Sequence, residues 1–482
     1  MKKRNYAFYI LVLVAFLSLT ITLVVRTFQN DTFYTIKIGE TITKYGIDMK
    51  DHFSFVPNLM YTYPHWLYDL IMYLLYSLGG FNAIYISTLA LGFLLLFLMY
   101  FLCNKIIDNK IISFILSFIF GVMLYGYITA RAQLVSYILL LIILYSIEKL
   151  RSCKKKKYIF YIFISSLLIS NMHLAVWPFI FVLFLPFIVQ DIIYLTIKKY
   201  NLKFVNKFNI EIEKSSLKIT LVALFISFLT GFLTPNFLVP FTYLLNTYSG
   251  VSTEFISEHS PMTFSYRPEF YIFLLLFLIL ILFKKTKIKL RDLFLICGLI
   301  LLTFMSRRSV ALFFVLSLFS FGRLCNYKSV LLENVIYSKL FTSILTIFFI
   351  VSSVFVFKYQ ENRSYVDQKK YPVIAASYII NNLDYKNIRL YNGYDFGSYL
   401  IYRGIPVFID SRADLYLEEF NKNTYVLKDY MNMFYNYEVL FKKYDFKYFL
   451  LDNSDKLNKV LTKDKYKIIY GDKYFTLYEV LT

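Results

Sequence analysis

The chain reads as an α-helical polytopic membrane protein with about eleven transmembrane helices. Its amino terminus is expected inside and its carboxyl terminus outside, where a small extracytoplasmic α/β domain follows the last span. Three observations predict this. Of the 482 residues 58% are hydrophobic, and the mean hydropathy is +0.56, beyond an ordinary soluble domain. Eleven apolar runs of membrane-spanning character precede Lys358. The connections between them also alternate in charge. Met1–Arg4 carries three basic residues, Glu148–Lys157 six against one acid, Lys198–Lys218 six against two, and Lys284–Arg291 five against none. The intervening Arg26–Trp66 is balanced at four and four, and Phe237–Pro268 has one basic residue and two acids. Positive connections stay in the cytoplasm, which fixes the expected orientation.

The first span is Tyr6–Val25. It has a basic start but no small-residue cleavage site after it, so it reads as a retained helix rather than a signal peptide. An external segment over 26–66 follows. Trp66–Leu78 is apolar on one side and reads as an interfacial helix. Further spans are expected at Phe81–Leu102, Ile111–Ile128 and Leu134–Ile147. Tyr158–Gln190 is too long for one crossing of roughly 20 residues, so it is expected to cross twice, turning near Asn171–His173. The remaining spans are Ile219–Leu233, Phe270–Phe283, a pair meeting at Ser306–Ser309, and Leu340–Phe357.

Beyond Lys358 the composition turns charged and tyrosine-rich. The expected division is a membrane domain over 1–358 and an external domain over 359–482. Strands read at Ile388–Tyr391, Pro406–Asp410, Tyr448–Asp452, Lys467–Tyr470 and Phe475–Val480. Helical patterns lie between them at Pro372–Leu383, Tyr435–Tyr444 and Ser454–Leu461, which predicts a small α/β fold.

The formal net charge of +21 does not point to nucleic acid. The excess sits at the ends of the inner connections, and the basic runs lack interleaved aromatics. Membrane lipids, with anionic headgroups against Lys154–Lys157, are the expected partners. The four cysteines have no metal-ligand spacing.

All four histidines, His52, His65, His173 and His259, fall on the expected outer side. Asp31, Asp51, Asp69, Glu254 and Glu258 join them. Either these form a shared outer site, with a divalent metal as one option, or the longer outer connections simply hold more polar residues. Asp31 lies just past the first span, beside aromatic residues. It can serve as a general base toward a hydroxyl, or as a helix-end acid. Arg131, Arg307 and Arg308 sit at outer membrane depth, against the inside bias. Cations are costly there without anionic partners, and guanidinium grips phosphate bidentately. A lipid-linked phosphate or headgroup snorkelling explains them. In the external domain Asp410, Arg412 and Asp414 follow a strand, where they read equally as a binding surface or as Asp–Arg braces.

The order of these motifs resembles the GT-C class of integral-membrane glycosyltransferases, which includes oligosaccharyltransferases and protein O-mannosyltransferases. Asp31 falls where that class carries an essential acid, near the end of the first helix. More particularly, the whole chain is similar to a group of uncharacterised bacterial multi-pass membrane proteins within the class. The similar stretches are Asp31–Tyr34 with Gly39, Asp51–Phe55, His65–Asp69, Arg131–Gln133, Asn171–His173, Thr234–Asn236, Glu258–Pro261, Tyr394–Tyr399 and Asp410–Tyr416.

The resemblance implies a multi-pass protein of the bacterial cell membrane. It would transfer sugar from a polyprenyl-phosphate donor to a glycan, lipid or protein acceptor on the external face. Asp31 would be the base, and Arg131 with Arg307 or Arg308 would meet the departing phosphate. His65, Asp69, His173 and His259 would line the sugar site or hold a divalent ion. Glu258, Asp410, Arg412 and Asp414 complete the expected substrate-binding set. The rival expectation is a non-catalytic transporter or scaffold for lipid-linked envelope glycans. Polar groups gathered at one face, with spans largely uninterrupted, favour the enzyme.

Overall fold

In the computed structural model residues 2–201, 210–249, 258–283, 288–327, 329–422, 424–461 and 465–481 are described; Glu254 and residues 284–287 of the basic connection lie outside them. Two compact units divide the chain. Unit one comprises Met1–Val25, Ile86–Phe241 and Ile256–Asn362; unit two comprises Arg26–Tyr85, Thr242–Phe255 and Arg363–Thr482.

The helices in chain order are α1 (Lys2–Leu23), α2 (Asn30–Tyr45), α3 (Trp66–Ile107), α4 (Lys110–Val122), α5 (Ala132–Cys153), α6 (Lys157–Met172), α7 (Phe179–Tyr200) and α8 (Leu217–Leu229). Then come α9 (Val239–Ser249), α10 (Pro268–Phe283), α11 (Leu290–Met305), α12 (Val310–Leu316), α13 (Leu318–Cys325), α14 (Val330–Ile336) and α15 (Lys339–Glu361). Each of the eleven expected spans falls on a helix. Among the described residues, five helical stretches are long and apolar enough to cross a membrane, and six if the bent pair α12–α13 counts as one. The others are shorter. The 13 residues of α4 rise only about 20 Å against a hydrocarbon core of about 30 Å.

Unit one is a helix bundle. In it α1 packs on α15, α5 on α6, and α7 on both α8 and α11. Phe120 pins one part of its core, edge-on to Phe273 at 5.2 Å and to Phe314 and Phe321 at 5.5 Å. The stretch Tyr158–Gln190 breaks into two helices near the expected turn: α6 ends at Met172 and α7 begins at Phe179.

Unit two differs from expectation in four places. The segment 26–66 is not all loop. It contains α2, whose Phe33, Tyr34, Ile36 and Ile38 are buried. Pro406–Asp410 forms no full strand; Val407 makes a single parallel bridge to Ser54. Two unforeseen helices, α17 (Tyr394–Tyr402) and α18 (Val426–Asn432), join the expected α16 (Val373–Asn382) and α19 (Tyr437–Tyr444). Ser454–Leu461 reduces to a single 3₁₀ turn at Lys456–Lys459. The sheet itself is close to expectation. Strands β3 (Leu390–Asn392), β4 (Tyr448–Asp452), β5 (Tyr466–Gly471) and β6 (Phe475–Val480) stand in the order β3-β4-β6-β5. Only the β3–β4 pair is parallel, with Tyr391 opposite Phe449. A short parallel pair, β1 (Ile210–Glu211) and β2 (Ile288–Lys289), belongs to unit one.

The α2–α17 packing explains why 26–66 is ordered. Phe33 meets Tyr371 at 4.9 Å and Tyr399 at 5.3 Å, both edge-on. Gly39 lets α2 approach α3, because a Cβ there would lie 2.2 Å from the Asp69 carbonyl oxygen. The α3 helix is interrupted where the sequence separates an interfacial helix from a span: Gly80 takes φ +60 and ψ −148, a conformation open to glycine.

Candidate functional site

Unit one gathers charge at both of its ends, in different ways. At one end α5 starts, α11 stops and α12 starts. Arg131 occupies the N-cap position of α5, and its Nη1 donates to Glu258 Oε1 at 3.3 Å. The Arg308 guanidinium acts on the same carboxylate through space. Gln133, in the first turn of α5, accepts from Arg308 Nε at 2.6 Å when its amide oxygen is turned to the guanidinium. Glu258 is held by its backbone: its carbonyl accepts from the Arg308 N–H and from Ser306 Oγ, each at 3.1 Å. The Arg307 N–H donates to the Ser260 carbonyl, so the turn from Glu258 is laced to the α11–α12 junction. The Glu258 side chain stays 43% exposed and that of Arg131 20%.

Electrostatics follow from this placement. Burial pushes the Glu258 carboxyl pKa up, but Arg131 and Arg308 outweigh it and hold the group below the usual range. His259 goes the other way. Burial, then Arg308 and Arg131, lower its pKa to about 4 against the opposing pull of Glu258. At neutral pH His259 is therefore uncharged. Among the described residues the group comprises two guanidiniums and one carboxylate.

The two neighbouring arginines separate. Arg308 turns to Gln133 and Glu258. Arg307 instead donates to the Pro261 carbonyl at 3.1 Å and lies over the Tyr266 ring at 4.9 Å. His173 is buried at 1% and shares a 2.8 Å hydrogen bond with Ser136, one turn along α5 from Gln133. Between α7 and α11 runs an apolar groove of about 210 Å³, lined by Val182, Pro186, Leu295, Gly298, Leu299 and Leu302.

The opposite end of unit one carries an ionic network that draws Arg151, Lys289 and Arg291 out of the basic inner connections. Arg151 grips Asp191 bidentately at 2.7 and 2.8 Å and also donates to Thr220. Arg291 pairs with Glu148 at 2.7 Å and Glu213 at 2.5 Å. Arg323 bridges Glu148 and Asp292, and Lys289 pairs with Glu213. Four cations stand on four carboxylates. The missed signal was Glu148, Asp191 and Asp292, three acids inside or beside apolar runs, which need partners at that depth.

Unit two holds the remaining expected site residues. Asp31 lies in the first turn of α2, where the helix dipole favours an acid. It is one of four aspartates, with Asp410, Asp414 and Asp395, whose fields act on the buried Tyr394 hydroxyl; burial and then those charges raise that hydroxyl's pKa well above its ordinary value. Asp410 and Arg412 are buried and clasp each other. Arg412 also donates to Asp51 at 2.7 Å, and Tyr416 donates to Asp410. The Phe53 and Tyr61 rings flank the Arg412 guanidinium at 5.2 and 5.0 Å. This geometry is a brace between the 51–61 segment and the 410–416 segment. Asp414 accepts from Tyr243 at 3.0 Å. Asp69 is wholly buried beside the Thr35 hydroxyl. His65 is half-buried at the start of α3, and its carbonyl accepts from the Asp69 N–H. His52 stacks on Tyr45 and bonds Asp48 at 2.8 Å. The four histidines are thus divided between the units, and among the described residues no three His, Cys, Asp or Glu side chains converge as metal ligands.

Solved structures share this architecture. The Cupriavidus metallidurans ArnT crystal structure with undecaprenyl phosphate bound superposes with a TM-score of 0.55 at 10% identity, over 98% of this chain and 97% of that one. The Archaeoglobus fulgidus oligosaccharyltransferase tethered to an acceptor peptide gives 0.53 at 11% identity, over 93% and 69%. Its apo form gives 0.53 at 12%, over 94% and 70%. The chain has a GT-C fold. No protein-family model matches it, and no curated protein matches it in sequence. At these identities the likeness establishes the fold, and the GT-C architecture places the chain among membrane proteins built from apolar helices.

Proposed function

We propose that the protein is a membrane glycosyltransferase that takes sugar from a polyprenyl-phosphate-linked donor on the external face of the bacterial cell membrane. The observation that carries this reading is the Arg131–Glu258–Arg308 group. Among the described residues it has two guanidiniums and one carboxylate, half-open at one end of a GT-C helix bundle. A phosphate is an anion that paired guanidiniums hold with charge-assisted hydrogen bonds. The apolar groove between α7 and α11 suits the isoprenoid chain. ArnT, of like fold, has undecaprenyl phosphate bound, which supports the same donor chemistry here.

In this reading the acceptor hydroxyl attacks the anomeric carbon on the face opposite the phosphate. The new C–O bond forms as the anomeric C–O bond to phosphate breaks. The electron pair leaves on the phosphate oxygen, where Arg131 and Arg308 neutralise it. The hydroxyl proton passes to Asp31, a contribution of about 10²–10⁴-fold in rate. His173 and His259, both neutral hydrogen-bonding groups, serve the sugar. The Asp410–Arg412–Asp51 brace orders the external domain, with Asp414, Asp69 and His65 supporting it.

The test is transfer of labelled sugar by detergent-purified protein from a panel of polyprenyl-phosphate donors, wild type beside Asp31→Asn. Transfer by wild type with loss in the folded variant supports the reading. Full transfer by Asp31→Asn removes the base assignment. Carrier movement across liposomes with no new glycosidic bond would replace the enzyme with a transporter.

A further inference from the structure

Asn236 is fixed by its backbone and unused in its side chain. It stands in the turn Thr234-Pro235-Asn236-Phe237, which closes as the Phe237 N–H donates to the Thr234 carbonyl at 3.2 Å. Proline presets the second position of such a turn. The Asn236 N–H donates to Thr234 Oγ1 at 3.2 Å, and its carbonyl accepts from the Val239 N–H at 2.9 Å, where α9 begins. The side chain has no such role. The residue is only 6% exposed, yet neither its Oδ1 nor its Nδ2 meets a hydrogen-bond partner. Asn171 is buried to a similar degree and shows the ordinary use of the group. Its Nδ2 donates to the Leu167 and Leu233 carbonyls at 2.9 and 3.0 Å. An orphaned buried amide weakens a fold, so Asn236 needs a reason outside stability to stand there.

Its place suggests that reason. The turn follows the 3₁₀ turn Thr230–Phe232. The end of α6 is tied to this stretch by Ser170 Oγ on the Thr230 carbonyl at 3.2 Å and by Asn171 on Leu233. Two residues after Asn171, His173 shares its hydrogen bond with Ser136 on α5, in the first turns of the helix that Arg131 caps. What the amide lacks is also specific. Oδ1 needs a donor and Nδ2 an acceptor, side by side. Of the three parts of a lipid-linked sugar, the hydrocarbon offers neither, and an ionised phosphodiester only accepts. Two adjacent sugar hydroxyls offer both: one O–H donates to Oδ1, and the neighbouring oxygen accepts from Nδ2.

We infer that Asn236 is a specificity-determining residue that reads a pair of adjacent hydroxyls on the sugar being transferred. This rests on the glycosyltransferase reading above and adds to it how the sugar is recognised. Asn236 takes no part in bond making. Both amide atoms are covered, so the sugar engages them only as the cover yields, and an amide that gains hydrogen bonds on being uncovered favours that step. The fold gives up some stability to keep the amide available.

The experiment titrates lipid probes of equal charge into the full-length protein in detergent. One is polyprenyl methyl phosphate; the others are polyprenyl phosphate carrying glucose, galactose or mannose. Wild type is expected to bind at least one sugar-bearing probe about tenfold more tightly than the methyl diester. Asn236→Leu should lose that preference, keep its affinity for the methyl diester, and unfold about 1–3 °C higher than wild type. Asn236→Ala, too small to block the site, should lose the preference as well. Gln190→Leu removes another buried, unpartnered amide, beside Asp191 on α7, and should keep it. The inference is overturned if the preference survives in either Asn236 variant or is lost equally in Gln190→Leu. It is overturned too if Asn236→Leu unfolds at a lower temperature, which would show the amide at work in the fold, or if wild type binds the methyl diester with no preference for any sugar. Those outcomes leave the phosphate reading standing. Binding of no probe by protein of native helical content removes that reading, and this inference with it.

Discussion

The two ends of unit one are made of the same side chains and differ in number and depth. At the Arg151 end, four cations meet four carboxylates, and Asp191 is 0% exposed. At the Arg131 end, two guanidiniums share one carboxylate that is 43% exposed. The first arrangement is closed: every charge has its partner inside the protein, and the ends of α5, α7, α11 and α13 are held by it. The second has fewer carboxylates than guanidiniums among the described residues and is open to the outside of the bundle. Ionic groups that balance internally hold a fold together, whereas a net charge at an accessible place is what a ligand of opposite sign can complete.

The comparison breaks most sharply on stability. Asp191→Ala would leave the buried Arg151 guanidinium without its carboxylate, a loss of about 3–5 kcal/mol. Thermal unfolding in detergent should show it plainly. Glu258→Gln at the other end should cost about 1 kcal/mol or less, since its pair is partly solvated. Equal losses at both ends would erase the distinction drawn here.

Next in size is ligand binding. Arg308→Gln should weaken binding of a polyprenyl phosphodiester by about 10–100-fold, the worth of one charge-assisted contact, with little change in unfolding temperature. Arg307→Gln should change it by about threefold at most, because that guanidinium is engaged by the Pro261 carbonyl and the Tyr266 ring. If Arg307 proved the stronger of the two, the orientation assigned to this pair would be wrong.

The effect that is smallest at neutral pH is in pH dependence. The folded pKa of His259 is about 4, below its ordinary value near 6.5. Below pH 6.5 the unfolded chain binds a proton that the folded protein refuses, so stability falls as pH drops from about 6.5 to about 4. His259→Gln should remove that part of the slope and leave stability near pH 7 almost unchanged. An unaltered slope in unfolding temperature against pH would contradict the neutral state assigned to His259.

Some of this was legible in the chain. The apolar runs, the break near Gly79–Gly80 and the turn at Asn171–His173 follow from hydropathy, length and glycine. So do β4 and β6, each a short apolar run. Helix α2 is hard to read in the chain, because its apolar residues pair with α17 far away in sequence and the 26–66 segment is balanced in charge. Arg131, Glu258 and Arg308 could each be suspected from depth and residue type, but Gln133 could not be joined to Arg308 across some 175 residues of chain. The Arg151–Asp191 pair was hidden by reading basic residues as markers of topology.

By itself, the sequence determined that this is a multi-helix protein with a separate α/β part, because hydrophobic length and the period of side chains act locally and need no partner to be read. It also determined which groups are expensive where they stand. The tertiary structure alone decided which of those expensive groups meet one another. That is a sum over residues distant in the chain, and Coulomb energy depends on distance in space rather than on separation in sequence.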